Sequence, residues 1–358
     1  MAFLEFNNVR IAGIAAGVPK NISSNLCPEK EDNYSSDYSP EAFVETTGVR
    51  ERRTSYFLTT ADLAYEAAEK LIVDLGWVKE EIEALVFVSQ TPDYVLPATA
   101  CILQERLGLS KECYAADVSL GCSGWVYGLS TVASLVATGC IKKALLLCGD
   151  AKKRFKGPRD PLFGSAGTAT AVEYKDGDGK LQFHFGTDGS GYDAIITPDG
   201  GSRNQISEKS FEMEDVEGKQ MNRLMTRMKG MDVFAFGITT APKSVKKLAE
   251  HYGFDYLSYD YFVFHQANMK MNNQIAKKLK LTSEQVPSCM YRFGNTSSAS
   301  IPLTIVSELI GKCKPTTKFI CCGFGVGLSW GTVAFTAGDM IISDLVEVED
   351  PKEEQKWV

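Results

Sequence analysis

Three residues of this chain combine reactive side-chain chemistry with positions suited to using it. Cys122 stands in Leu120-Gly121-Cys122-Ser123-Gly124-Trp125, between the apolar-leaning stretch Tyr114 to Val118 and the helix-like stretch Val126 to Ala137. A thiol at such a strand-to-helix turn faces a helix N-terminus, which favours negative charge and lowers a thiol pKa. Gly121 and Gly124 leave room for a substrate carbonyl beside the backbone. His265 closes the apolar run Tyr261 to Phe264, and the carboxyl end of a buried strand is where open α/β sheets hold ligand-contacting groups. Asn295 lies in Gly294-Asn295-Thr296-Ser297, small residues that suit a tight turn. Each has a plainer reading: a buried structural thiol, a satisfied core histidine, a capped turn. Together, a thiol, an imidazole and a carboxamide form a set for thioester chemistry. The run Cys322-Gly323-Phe324-Gly325-Val326-Gly327 adds a loop able to aim a backbone N–H at a thioester oxyanion. As a phosphate loop it is poor, because no Gly-Lys-Ser/Thr follows.

Positioning these groups requires β-α units, and the chain has them. Thr59 to Leu75 reads as a helix, with a capping-box-like start at Thr59 and Asp62, Leu63, Ala67, Leu71 and Leu75 repeating every four residues, and a stop at Gly76. Four apolar runs read as strands buried on both faces: Ala84 to Val88, Ala144 to Leu147, Tyr261 to Phe264 and Phe319 to Cys322. In the first half a strand ends at Ser89, Cys122 follows 33 residues later, and a strand ends at Gly149 after 27 more. In the second a strand ends at His265, Asn295 follows 30 residues later, and a strand ends at Gly323 after 28 more. The order strand, helix, strand, special turn, helix, strand recurs, so the chain reads as two duplicated βαβαβ-type halves. Pseudo-twofold packing would bring the Cys122 and Asn295 turns together, with His265 beside them. The expected divisions are 1–176, a connecting and covering segment 177–222, 223–346, and a polar tail 347–358.

Composition narrows the function classes. The 358 residues are 44% apolar and 23% charged, enough to bury a large core. A net charge of −7 argues against a general nucleic-acid binder. Ten cysteines without a CxxC pair, and only three histidines, argue against a structural zinc site, so no metal is expected. The cysteines lie mostly in apolar segments, as reduced thiols do, which points to the cytoplasm. No apolar run of about 18 residues predicts a membrane span, and the start MAFLEFNNVR does not read as a secretory signal.

The motifs Thr47-Gly48-Val49-Arg50-Glu51-Arg52, Leu120-Gly121-Cys122-Ser123-Gly124, His265-Gln266-Ala267-Asn268, Gly294-Asn295-Thr296-Ser297 and Gly325-Val326-Gly327-Leu328-Ser329-Trp330-Gly331 span nearly the whole chain. With them the sequence resembles the β-ketoacyl-[acyl carrier protein] synthase III family of thiolase-fold condensing enzymes. The resemblance implies a five-layered αβαβα fold, a homodimer, and no tightly bound cofactor. The implied substrates are an acyl-CoA and malonyl-[acyl carrier protein]. The implied reaction acylates Cys122, then uses His265 and Asn295 to steady the enolate formed as malonyl loses CO2. Backbone N–H groups of Cys122 and Val326 would hold the oxyanion, Val326 standing where the family usually has glycine. Motif by motif, the resemblance places Phe163, Met228 and Phe234 at the acyl pocket, and Leu96 at the acyl pocket of the neighbouring subunit, reached across the dimer. A leucine at 96 leans toward a primer longer than acetyl. It also places Gln266, Ala267, Asn268, Met269, Lys270, Lys277 and Lys278 at the carrier protein, with Lys280, Arg227 and Lys229 as possible additions. Arg154 and Lys156, in a basic run, are candidates for CoA or phosphopantetheine phosphates. The family's adenine-stacking tryptophan is missing from Ala42 to Thr47, which leaves open whether the primer arrives on CoA or on a carrier protein. Two other readings compete with condensation. One is an acyl transfer from cysteine to an alcohol or amine without CO2 loss. The other is a non-catalytic partner subunit, which an intact Cys122 argues against.

Overall fold

A computed structural model describes residues 2–27, 39–151 and 160–352. Apolar runs that alternate with amphipathic helices must bury both faces of their strands, and they do so here in two sheets. Ala84–Val88 is buried at every residue and lies parallel to both Tyr114–Val118 and Lys143–Asp150. The first sheet then continues through Ala166–Tyr174 and Val9–Pro19 to the short strands Ile341–Ile342 and Val346–Val348. The second sheet runs Ala2–Asn7, Lys180–Thr187, Ser329–Thr336, Lys318–Gly325, Tyr261–Phe264. From Ala84–Val88 outward the first sheet pairs parallel, antiparallel, antiparallel. From Tyr261–Phe264 outward the second repeats that pattern. The duplication read from spacing is therefore visible in strand direction.

Five layers result. The helix Gly124–Val136 carries an apolar surface nearly all round, as a helix between two sheets must. Gly128 lets it approach the first sheet: a Cβ there would come within 2.6 Å of Leu146 and 2.7 Å of Val88. Its Trp125 is fully buried and donates to the Thr170 hydroxyl at 2.9 Å. Ser300–Leu309 shares this middle layer, packing on strands of both sheets. The outer helices are one-sided. Thr60–Leu75 buries Leu63, Ala67 and Leu71 and has the expected capping box at Thr59 and Asp62, with Gly76 left-handed at its end. It covers the first sheet together with Thr99–Arg106, while Gly230–Tyr252 and Met269–Leu279 cover the second.

Two expectations need correction. The boundaries drawn along the chain do not separate the sheets: Ala2–Asn7 pairs with Lys180–Thr187 in the second sheet, and residues 341–348 pair with Val9–Pro19 in the first. Segment 177–222 thus contributes an inner strand before it becomes a connection. The second half also lacks the strand expected before its turn. Residues 290–293 form a short helix, Met290–Phe293, which ends at Gly294 with φ 65°. Pro287 precedes it and offers no backbone donor to a ladder. The adjoining chain makes a single bond to the sheet there, from the Phe262 N–H to the Gln285 carbonyl at 2.7 Å.

Candidate active site

Cys122 sits in the turn between Tyr114–Val118 and Gly124–Val136, closed by a bond from the Gly124 N–H to the Gly121 carbonyl at 2.6 Å. The second half comes against it at Gly325, where a Cβ would lie 2.6 Å from the Cys122 Cβ and 2.8 Å from its Sγ. The thiol is not acidified, contrary to expectation. Burial, with the Asp150 carboxylate adding to it, pushes Cys122 up to about 11, against the backbone groups of Val326 and Cys122 and the Ser297 side chain, which favour the thiolate. Desolvation of a small anion outweighs a helix terminus whose effect fades within a turn.

His265 ends Tyr261–Phe264, and its N–H donates to the Cys322 carbonyl at 2.9 Å. Its ring is buried, with Nδ1 2.8 Å from the Ser300 hydroxyl and the Phe324 ring edge-on at 5.7 Å between centroids. Burial holds the imidazole down at about 3, the Ser297 backbone opposing weakly, so the ring is neutral. Asn295 is fixed through its backbone: its N–H donates to Leu162 at 2.9 Å and its carbonyl accepts from Gly164 at 3.1 Å. Its Oδ1 accepts the Ser297 N–H at 2.9 Å, which orients the amide and leaves Nδ2 to donate elsewhere.

These three side chains line one cavity of about 580 Å³, together with Val326, Phe163, Met228 and Phe234. Leu96, expected in a neighbouring subunit's tunnel, stands outside this chain's own cavity. That residue is 83% exposed, on a loop whose Val95 is 98% exposed. Three lining features were not singled out from sequence. Asp150 and Ser297 both face the cavity. A hairpin of Glu214–Val216 with Lys219–Met221 covers part of it through Val216, Glu217 and Lys219, and Lys219 pairs with Asp160 at 3.1 Å. The Gly-rich, charged composition of 177–222 hinted at the cover but not at its hairpin. A carboxylate at the end of the apolar strand Lys143–Asp150 was the signal for Asp150.

The carrier-protein candidates divide. Gln266 is fully buried, donating to the Phe264 carbonyl and accepting from Ser288, so it is structural and cannot meet a partner. Asn268 caps Met269–Leu279 through the Met271 N–H, and Ala267 and Asn268 line the cavity. Met269, Lys270, Lys277, Lys278 and Lys280 are exposed on or at the end of that helix. Arg227 and Lys229 are engaged with Glu214 and Asp193. Arg154 and Lys156 lie outside the described residues. Among the described residues no group of three or more His, Cys, Asp or Glu stands ready for a metal, and no helix is long and apolar enough to cross a membrane.

Residues 116–189 match the family model of 3-oxoacyl-[acyl-carrier-protein] synthase III, and residues 249–337 match the model of its C-terminal part. A putative 3-oxoacyl-[acyl-carrier-protein] synthase 3 of Campylobacter jejuni is 31% identical over 95% of this chain and 97% of its own. A β-ketoacyl-[acyl-carrier-protein] synthase III of Clostridioides difficile is 33% identical over 90% and 96%. The crystal structure of a 3-oxoacyl-(acyl-carrier protein) synthase from Burkholderia xenovorans superposes with a TM-score of 0.88 at 38% identity, covering 97% of this chain and 99% of that one.

Proposed function

Because the chain belongs to the β-ketoacyl-[acyl carrier protein] synthase III family, we propose that it condenses an acyl primer with malonyl-[acyl carrier protein] through Cys122, His265 and Asn295. The observation that carries this is the convergence of those three side chains, from separate elements of both halves, on one cavity. Cys122 Sγ attacks the primer thioester, and the N–H groups of Cys122 and Val326, which already favour negative charge at the sulfur, receive the carbonyl oxygen as it becomes an oxyanion. The carrier thiol leaves. Malonyl thioester then enters, with its carbonyl oxygen between His265 and Asn295.

Loss of CO2 puts carbanion and enolate charge on that oxygen, and the donors must answer it without a competing anion. Asn295 Nδ2 is such a donor. His265 Nδ1 lies 2.8 Å from the Ser300 hydroxyl; the donor role requires the tautomer in which Ser300 donates to Nδ1 and the ring proton sits on Nε2. The carbanion attacks the acyl-cysteine carbonyl, and the β-ketoacyl thioester departs as the Cys122 sulfur is released. The exposed Lys270, Lys277 and Lys278 form the basic face for an acidic carrier protein. The exposed apolar Val95 and Leu96 support a homodimer in which this tip is covered.

The test is mass spectrometry of the enzyme after an acyl-CoA mixture, followed by malonyl-[acyl carrier protein] with CO2 captured. Asn295→Asp keeps the acceptor for the Ser297 N–H but replaces the Nδ2 donor with an anion. It should still acylate, yet decarboxylate roughly 10²–10³-fold more slowly. Acyl transfer to an alcohol or amine with no CO2 would refute the condensing assignment.

A further inference from the structure

The mechanism above leaves the Cys122 proton without a destination. A thiol pushed up to about 11 is ionised in only about one molecule in 10⁴ at pH 7. The attack therefore needs a base that takes the proton as the carbon–sulfur bond forms. His265 is a poor one, since burial disfavours its imidazolium and Nδ1 is held by Ser300.

Asp150 is the other titratable group on the cavity wall close to the sulfur. It ends the strand Lys143–Asp150 and is 8% exposed. One oxygen, Oδ1, is saturated: it accepts from the Ser89 hydroxyl at 3.0 Å, the Gln90 N–H at 2.8 Å and the Thr91 hydroxyl at 3.1 Å. The other, Oδ2, is buried and has no hydrogen-bond partner. A buried carboxylate oxygen left this way costs free energy unless it serves something. Ser297 lines the same cavity as Asp150 and Cys122. Its hydroxyl favours the anionic form of both Cys122 and Asp150, and its Oγ would lie 3.2 Å from a Cβ placed on Gly121, next to Cys122. Ser297 holds a left-handed backbone at φ 53°, rare for a residue with a side chain. Such outliers persist where the surroundings impose them, often at functional sites.

We propose that Asp150, through the Ser297 hydroxyl, accepts the Cys122 proton during acylation; this deepens the reading of Cys122 as the nucleophile and rests on it. As Sγ bonds to the primer carbonyl carbon, its S–H proton passes to Ser297 Oγ and the Ser297 hydroxyl proton passes to Asp150 Oδ2. The carbonyl electrons move onto the oxyanion. On collapse the bond to the carrier sulfur breaks, and the leaving thiolate takes a proton back along the same route. The sum is a thiol plus a thioester giving a thioester plus a thiol, with Asp150 and Ser297 restored. Asp150 then has two opposed effects: at rest it opposes the thiolate by its charge, and in the attack it serves as the proton acceptor.

That opposition supplies the test. Asp150→Asn is isosteric: the amide oxygen can keep the three donors of residues 89–91, and the amide nitrogen takes the place of Oδ2. Two second-order rates at Cys122 are compared with wild type at pH 8: acylation by an acyl-CoA in a stopped reaction read by mass, and alkylation by iodoacetamide, which needs only the thiolate. The expected result is acylation slowed by about 10²-fold or more, within the usual range for a general base, with alkylation made faster. If both rates rise, Asp150 is only an electrostatic brake and the proposal is overturned. If both fall together, the carboxylate merely shapes the turn at 89–91, and the proposal is likewise overturned. Ser297→Gly, which tolerates the left-handed backbone, must also slow acylation by at least about tenfold; a rate within twofold of wild type would overturn the relay even if Asp150→Asn does not fold. Failure of wild-type Cys122 to acylate at all would instead refute the nucleophile assignment.

Discussion

A neutral His265 is the condition on which the enolate chemistry rests, and acid stability measures it. The imidazole sits at about 3 in the fold against 6.5 for the free side chain. The unfolded chain therefore binds a proton below about 6.5 that the folded protein refuses until about 3, and stability is lost as pH falls through that window. At about 1.4 kcal/mol per unit, the full loss is about 5 kcal/mol by pH 3. At pH 5, where the unfolded imidazole is mostly charged and the folded one is not, the same relation gives about 2 kcal/mol. His265→Gln removes the titration and keeps a polar side chain. His184, also held low by burial, is present in both proteins and cancels. Equilibrium urea unfolding of wild type and variant at pH 7 and pH 5 should show the wild type losing about 2 kcal/mol more than the variant. Parallel losses would mean that the ring is not held neutral by burial. The kinetic counterpart is a decarboxylation rate without an imidazole step between pH 6 and 8. A rate that fell as pH rose through 6.5 would make the imidazolium the active form and refute the donor role given to neutral His265.

Gly325→Ala places a methyl 2.6 Å from the Cys122 Cβ and 2.8 Å from its Sγ; acyl-enzyme should be lost by mass spectrometry, with overpacking lowering stability by about 1–3 kcal/mol in urea unfolding. Charge reversal of the exposed pair Lys270 and Lys277 should raise KM for malonyl-[acyl carrier protein] by about tenfold at low salt, and the difference should shrink as salt is added. Acylation by a small acyl thioester should not change in that double variant.

Much of this arrangement was legible because it rests on local physics. The capped helix at Thr59, the four fully apolar strands and the helix after Cys122 follow from patterns of period and punctuation that tertiary context did not override. The similar spacing of the Cys122 and Asn295 turns carried the duplication. What escaped was set by contacts distant in sequence. The pairing of Ala2–Asn7 with Lys180–Thr187 leaves no mark in either segment that names its partner. The thiol pKa depends on how closely the second half packs over Cys122, which a turn motif cannot report. Gln266 lies inside a recognisable motif, but its side chain turns inward to Phe264 and Ser288 rather than out toward a partner.

The strand exchange bears directly on the chemistry. Cys122 comes from the first half and His265 and Asn295 from the second, so the reacting geometry is only as fixed as the halves are relative to each other. Displacements of about 1 Å cost such sites roughly 10²-fold. Two simply abutting domains would rely on one interface. Here Ala2–Asn7 is laddered into the second sheet and runs straight on, through Asn8, into Val9–Pro19 of the first. Residues 341–348 leave the second half to pair with that same strand. Between the sheets, Gly124–Val136 and Ser300–Leu309 pack on both, and the Ser123 and Ser329 hydroxyls meet at 2.7 Å across the two halves beside the nucleophile. Separating the halves would require breaking ladders at both ends of the chain and opening the buried middle layer. The site is therefore part of one cooperative core, and Gly325 can bring its backbone against the sulfur without a hinge to absorb the strain.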